Sequence, residues 1–195
     1  MLWCTAAQAL NITAVIGKII VETQENLLPY VDVLSKNGTL KVDLSDKIWM
    51  NKSGPKITVF TPDLYSLEVY GAAQLLKSDI VKGENFTMNV SGACSGDITL
   101  DVDSFKAILA GAGSLNFHGT AASVNLNIAG AGNYNGLDLT AKNANITISG
   151  AGLGSITCID NLDVTINGAG SFSYAGSPAL RQSVYGFGRV SKVNR

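Results

Sequence analysis

Asp97, Asp101 and Asp103 stand close together, and His118 follows them. Carboxylates in such close order could hold calcium or abstract a proton, which is how polysaccharide lyases and hydrolases built on stacked coils work. The following segments offer Asn116, Asn135 and Asp138 rather than a matching row of acids. The cluster therefore reads as solvated turn and strand residues. His118 is the single histidine, and spacing alone gives it no Ser, Cys or Asp partner from which to build a nucleophile, a base and an orienting group. It reads as a surface residue. Calcium-binding solenoid repeats need a carboxylate in every turn, whereas the glycine corners described below are followed by Ser114, Asn133, Leu153 and Ser171. No catalytic residue, no metal ligand and no cofactor site is expected.

The charge balance narrows the partners further. Fourteen Lys and Arg against 15 Asp and Glu leave a formal charge of -1, so the electrostatic attraction that nucleic-acid and anionic-membrane binders depend on is missing. Nucleic acid is not an expected partner. Charged residues are 15% and hydrophobic ones 46% of the chain, a balance that folds rather than staying disordered. Cys4, Cys94 and Cys158 are odd in number and far apart, so spacing offers neither a disulfide framework nor a zinc site. Cys158 reads as a small core residue. The apolar run from Ala14 to Val21 is interrupted by Lys18 and is too short to span a bilayer, and a basic leader region is missing before it. No transmembrane segment and no convincing signal peptide are expected.

The elements that must position any site are set by a repeat. Gly71, Gly92, Gly111, Gly130, Gly150, Gly168 and Gly186 recur at spacings of 21, 19, 19, 20, 18 and 18 residues, and four of them open a Gly-Ala-Gly. A period of that length marks one supersecondary unit stacked on itself. Upstream of each glycine, apolar residues alternate strictly, as in Phe86, Met88 and Val90, Val124, Leu126 and Ile128, or Leu162, Val164 and Ile166. Alternation is the period of a strand with one buried face and excludes a helix. Of the inward series only Gln182 is polar. The glycine tripeptide reads as one corner. A polar column of Asn85, Ser104, Ser123, Asn143 and Asn161, seven residues before each glycine, reads as a second.

Together these features predict an all-β protein: a right-handed parallel β-helix, or β-solenoid, with coils of 18 to 21 residues. Residues 65–195 form the regular Gly-Ala-Gly solenoid. Residues 1–64 carry strand patterns at Val31 to Leu34, Leu40 to Leu44 and Ile57 to Thr61, separated by turn signals at Asn37-Gly38 and Lys52-Ser53-Gly54-Pro55. They are expected to form wider first coils and a cap, within a single domain overall. The segment carrying Arg181, Arg189, Lys192 and Arg195 is expected to cap the other end, because an uncovered coil offers unpaired backbone to the next molecule.

Residues between the inward ones are mostly small and polar. The column Asn89, Ile108, Asn127, Thr147 and Thr165, flanked by Asn125, Asn145 and Asp163, makes a flat wall that could meet a glycan or a protein. Lys106 and Ile108 break the regular threonine array an ice binder needs. Asn89, Asn127, Thr147 and Thr165 are the binding candidates, with Tyr70 and Tyr185 as flanking aromatic contacts.

The run Asn167-Gly-Ala-Gly-Ser-Phe-Ser-Tyr174, continuing through Gly176, Pro178, Gly186 and Gly188 to Lys192, resembles the closing signature of a bacterial family described as putative auto-transporter adhesin, head GIN domain. Glu25 to Val31, Gly38-Thr39-Leu40 and Ile57 to Leu64 resemble it too, in the family's order. The resemblance covers roughly residues 19 to 192. It implies a β-helical domain of secreted or envelope proteins with adhesion proposed and no established enzyme activity. The expected function is a non-enzymatic extracytoplasmic binding, adhesin-like or scaffold module of a bacterial envelope that meets a glycan or surface protein. The alternatives are a carbohydrate-active β-helix enzyme, by fold analogy alone, and a purely structural module that self-associates.

Overall fold

The computed structural model describes residues 1–6, 9–14, 17–36, 39–44 and 55–194. Stacked parallel coils form a β-solenoid of about seven turns. The stack runs through β7 (Leu64–Ser78), β8 (Val81–Ile128), β9 (Asn133–Gly150), β10 (Leu153–Gly168), β11 (Ser171–Gly176), β12 (Ala179–Gly186) and β13 (Arg189–Lys192). β8 is 48 residues of continuous extended chain that turns corners without leaving the ladder. Each strand pairs in parallel with the equivalent strand one coil away, so Leu126 opposes Ile146, and Ile146 opposes Val164. These three residues are all buried. The alternating pattern thus becomes rungs of one continuous core, in which each fully buried Leu or Ile contributes about 1.5–3 kcal/mol. Phe86 and Phe105 stack at 5.8 Å between centroids, and Phe117 tilts against Phe105 at 5.1 Å.

The glycine column has a steric cause as well as a conformational one. A methyl on Gly111 would collide with the carbonyl oxygen of Gly92, and one on Gly130 with that of Gly111. Neither residue needs a left-handed backbone; the coil beneath is simply too close. In later coils the second glycine of the corner makes room for a side chain instead. A methyl at Gly152 would lie 2.7 Å from Cγ2 of Ile128, and at Gly170 2.6 Å from Cγ2 of Ile148.

The strands before residue 64 do not form wider parallel coils. β1 (Leu2–Ala6) and β2 (Ala9–Ala14) both pair antiparallel to β7. Beyond them lie β3 (Lys18–Glu22), β4 (Val31–Lys36), β5 (Thr39–Leu44) and β6 (Lys56–Phe60), again antiparallel to their neighbours. The reason is local: two residues separate β4 from β5, a connection only antiparallel strands can use. These residues also lack the glycine column that permits close parallel stacking. The expected turns at 37–38 and 52–54 lie outside the described residues. A 3-10 turn, Glu25–Tyr30, precedes β4, and no helix among the described residues is long and apolar enough to cross a membrane.

The C-terminal segment also differs from expectation. β12 pairs with β10, and β13 with β11, so Arg181 lies on the last full coil, while Arg189 and Lys192 lie on a further parallel strand that stacks over β11 alone and leaves β12 uncovered among the described residues. Arg195 lies outside the described residues. Cys4, Cys94 and Cys158 are free and buried. Burial pushes the Cys4 and Cys94 thiols up to about 12, so at neutral pH they are core residues rather than nucleophiles.

Candidate binding wall and groove

Stacking converts sequence intervals of 18 to 21 residues into direct neighbours on the outer wall. Asn127, Thr147 and Thr165 occupy adjacent rungs of one column, followed by Ser183. Asn89 belongs to the same column through the stacked glycines Gly92, Gly111 and Gly130. All four candidates are half-buried. Ile108 interrupts the column between Asn89 and Asn127, and the Asn89 side-chain oxygen is buried with no hydrogen-bond partner. An isoleucine on the next rung has no donor to give it.

Tyr70 and Tyr185 do not form one clamp. Tyr70 sits on the first glycine rung and Tyr185 on the last, six spacings apart, or about 29 Å. The Tyr70 hydroxyl donates to Glu68 Oε2 at 3.2 Å, and that carboxylate raises its pKa. Tyr185 is 66% exposed.

A polar depression of the wall lies beside the candidate column rather than on it. A groove of about 420 Å³ runs across four coils, lined by Asn125, Asn143, Asn145, Asn161, Asp163 and Arg181 among others. Its register is continuous: Ser123, Asn143, Asn161 and Ala179 form one column, and Asn125, Asn145, Asp163 and Arg181 the next. Asn161 Nδ2 donates to Asn143 Oδ1 at 2.7 Å. That bond fixes both amides and leaves Asn161 Oδ1 and Asn143 Nδ2 outside it. The groove therefore presents pre-oriented amide donors and acceptors, one carboxylate and one guanidinium. Sequence reasoning recognised these residues separately, as a corner column, a flank and a cap. The missing signal was that 18- and 20-residue intervals put all three into one depression.

The acid cluster lies on the other strand of the coil, and two of its members, Asp97 and Asp101, are committed to neighbours. Asp97 Oδ1 accepts from Asn116 Nδ2 at 2.8 Å, and Asp101 Oδ1 accepts from Thr120 at 3.1 Å. Lys82 Nζ lies 3.9 Å from Asp101 Oδ2. His118 is not partnerless. Its Nε2 lies 3.6 Å from Asp97 and its Nδ1 3.6 Å from Asp138. Those partners are invisible in linear spacing because they come from the coils on either side. Asp101 and Asp103 border a second groove of about 290 Å³ with Thr120, Thr140 and Lys142. On the same strand Ser155 donates to Asn135 Oδ1 at 2.9 Å, and the Ser173 and Ser191 hydroxyls are 3.2 Å apart. Polar ladders of this kind tie coil to coil.

The family model described as putative auto-transporter adhesin, head GIN domain, matches residues 13–178. Among solved structures, a putative adhesin from Bacteroides fragilis NCTC 9343 is similar with a TM-score of 0.76 and 23% identity, over 90% of this chain and 82% of that one. A protein described as a putative lipid binding protein, from Parabacteroides distasonis ATCC 8503, is similar at 0.69 and 24%, over 90% and 84%. A putative adhesin from Parabacteroides merdae ATCC 43184 is similar at 0.65 and 23%, over 90% and 83%. At these identities the structural likeness speaks for the fold. No curated protein matches the chain.

Proposed function

The chain belongs to the family described as putative auto-transporter adhesin, head GIN domain, and we propose that it is a non-enzymatic, extracytoplasmic binding module that holds a glycan in its asparagine groove. The family and the named relatives support a binding role outside the cytoplasm. The observation that carries the choice of ligand is the groove itself, about 420 Å³ of shallow polar surface with amides fixed across rungs. Sugars present hydroxyls in alternating donor and acceptor roles, which side-chain amides match in both senses. Such sites also position without reacting. On the opposite strand Asp97 accepts from Asn116 and lies beside His118, and Asp101 accepts from Thr120, so these acids do not face each other across the asparagine groove.

The relative described as lipid binding does not change this reading. The inward positions of the coils are filled by buried side chains, among them Phe105, Leu115, Ile128, Ile148 and Phe172. The test is a glycan array probed with the intact protein and with Asn145→Ala. Capture by the parent protein, lost in the variant at unchanged thermal midpoint, is the expected result. Equal capture by both, or turnover of any polysaccharide, would defeat the proposal.

A further inference from the structure

The last coil ends in an open edge. Among the described residues β12 has a partner on one side only, β10, so eight residues of extended backbone present unpaired N–H and C=O groups along the rod's end. Edge strands are normally blunted by inward charges, proline or bulges. β12 has no inward charge, proline or bulge: its inward positions are Leu180, Gln182 and Val184, its register on β10 is unbroken from Ala179 to Gly186, and its one charge, Arg181, faces outward. The side chains agree with the backbone. Val184 is 40% exposed at a position that is buried in earlier coils, for example at Ile148 and Ile166. The middle residue of the glycine corner is alanine in six successive coils, from Ala72 to Ala169, and becomes Phe187, 97% exposed, only in the last.

Charge narrows the occupant. After Asp163 the sequence has no acid at all, while Arg181, Arg189, Lys192 and Arg195 follow. Arg181 stands directly above Asp163 in the outward column, so the next rung of that column favours a carboxylate. A second copy docking through the same edge would bring two such basic edges together, and one docking head to tail would meet the antiparallel cover formed by β1 and β2.

From the unpaired edge, the exposed apolar residues and the acid-free charge we infer that β12 receives an extended acidic segment of another protein, added as the next rung of the stack. Main-chain hydrogen bonds would supply the attachment, as in strand addition generally, with side chains supplying choice. The favoured segment is apolar over Leu180 and Val184 and acidic over Arg181. It then turns the corner against Phe187. This site is at the rod's end and shares Arg181 with the lateral groove, while Leu180, Val184 and Phe187 lie outside that groove's lining.

A suitable probe is the blocked peptide of residues 161–168, Asn-Leu-Asp-Val-Thr-Ile-Asn-Gly, which already matches β12 in register and places its aspartate over Arg181. Backbone amide spectra of the full protein at low ionic strength should shift along β12 on titration and slow in hydrogen exchange. A peptide carrying lysine in place of the aspartate should bind at least about fivefold more weakly, and salt should erase the difference. Gln182→Lys places an inward charge on an already exposed position, so it should abolish binding at an unchanged thermal midpoint. Phe187→Ala should weaken binding without affecting glycan capture. Equal affinity for both peptides, or binding that survives Gln182→Lys, overturns the inference. So does sedimentation that shows a dimer lost in Gln182→Lys, since the occupant would then be a second copy.

Discussion

The two ends of the rod solve the same problem in opposite ways. At the N-terminal end the first coil, β7, is covered by β1 and β2 running antiparallel to it. The outer strands there carry charges of both signs. Lys18 lies over the Phe60 ring at 6.0 Å, and Glu22 pairs with Lys56 at 2.9 Å on β3 and β6. At the C-terminal end β12 keeps the parallel direction of all earlier coils and carries nothing beyond it among the described residues. A parallel stack has no internal reason to stop, because each coil presents the same template as the one below. Reversing strand direction ends the template. Where direction is kept, the template stays available.

That contrast assumes one cooperative stack between the ends, and breaking the stack should have the largest effect. Ile148 is fully buried between Ile128 and Ile166. Ile148→Asp leaves an unpaired carboxylate there and should cost about 3–5 kcal/mol or prevent folding altogether. Urea denaturation of the variant would show it, and a wild-type midpoint would contradict the register. Gly111→Ala should approach the same cost, since its methyl meets backbone rather than a movable side chain.

The next test compares the ends directly. Ile12 on β2 is fully buried against the first coil, opposite Leu67, so Ile12→Ala should lose about 2–5 kcal/mol. Val184 occupies an inward position of the last coil but is 40% exposed. Val184→Ala should therefore change stability by less than about 0.5 kcal/mol. Similar losses in both variants would mean that the C-terminal end is covered after all.

Much of this was legible in the sequence because a solenoid writes its structure at two readable periods. Alternation named the inward residues, and the glycine interval placed Leu126, Ile146 and Val164 on consecutive rungs. What the sequence hid were relations at other intervals. The antiparallel start carries no repeat, so strands such as Val31 to Leu34 could be recognised but not their direction. The glycines looked like turn residues, yet at Gly111 and Gly130 the close carbonyl below matters more than the backbone angle. Asp97, His118 and Asp138 meet only when neighbouring coils are superposed with a slip between Asn116 and His118. Tyr70 and Tyr185 flank the wall in sequence but stand at opposite ends of it.

An effect confined to alkaline pH also separates the ends. Cys4 on β1 and Cys94 on the coil beneath lie at the covered end, and burial raises both thiols to about 12. The folded state therefore holds these protons more tightly than the unfolded chain, whose thiols ionise near the usual value of 9.0. Their contribution is complete below pH 9 and is lost as pH climbs from there toward 12, by up to about 1.4 kcal/mol per pH unit for each thiol. Paired Cys4→Ala and Cys94→Ala changes should flatten that alkaline limb in denaturation curves. An unchanged limb would show that tyrosines or lysines govern it instead.

The smallest effect belongs to the wall between the two ends. Thr147 shares its strand with Ile146 and Ile148 but points outward, half-buried between Asn127 and Thr165. Thr147→Ala should shift stability by no more than about 0.5 kcal/mol, an order of magnitude below Ile148→Asp one residue away. Such a ratio between adjacent positions is what a two-sided strand requires. A comparable loss at both would make the wall part of the core, and the groove beside it would then be a packing seam rather than a place for a ligand.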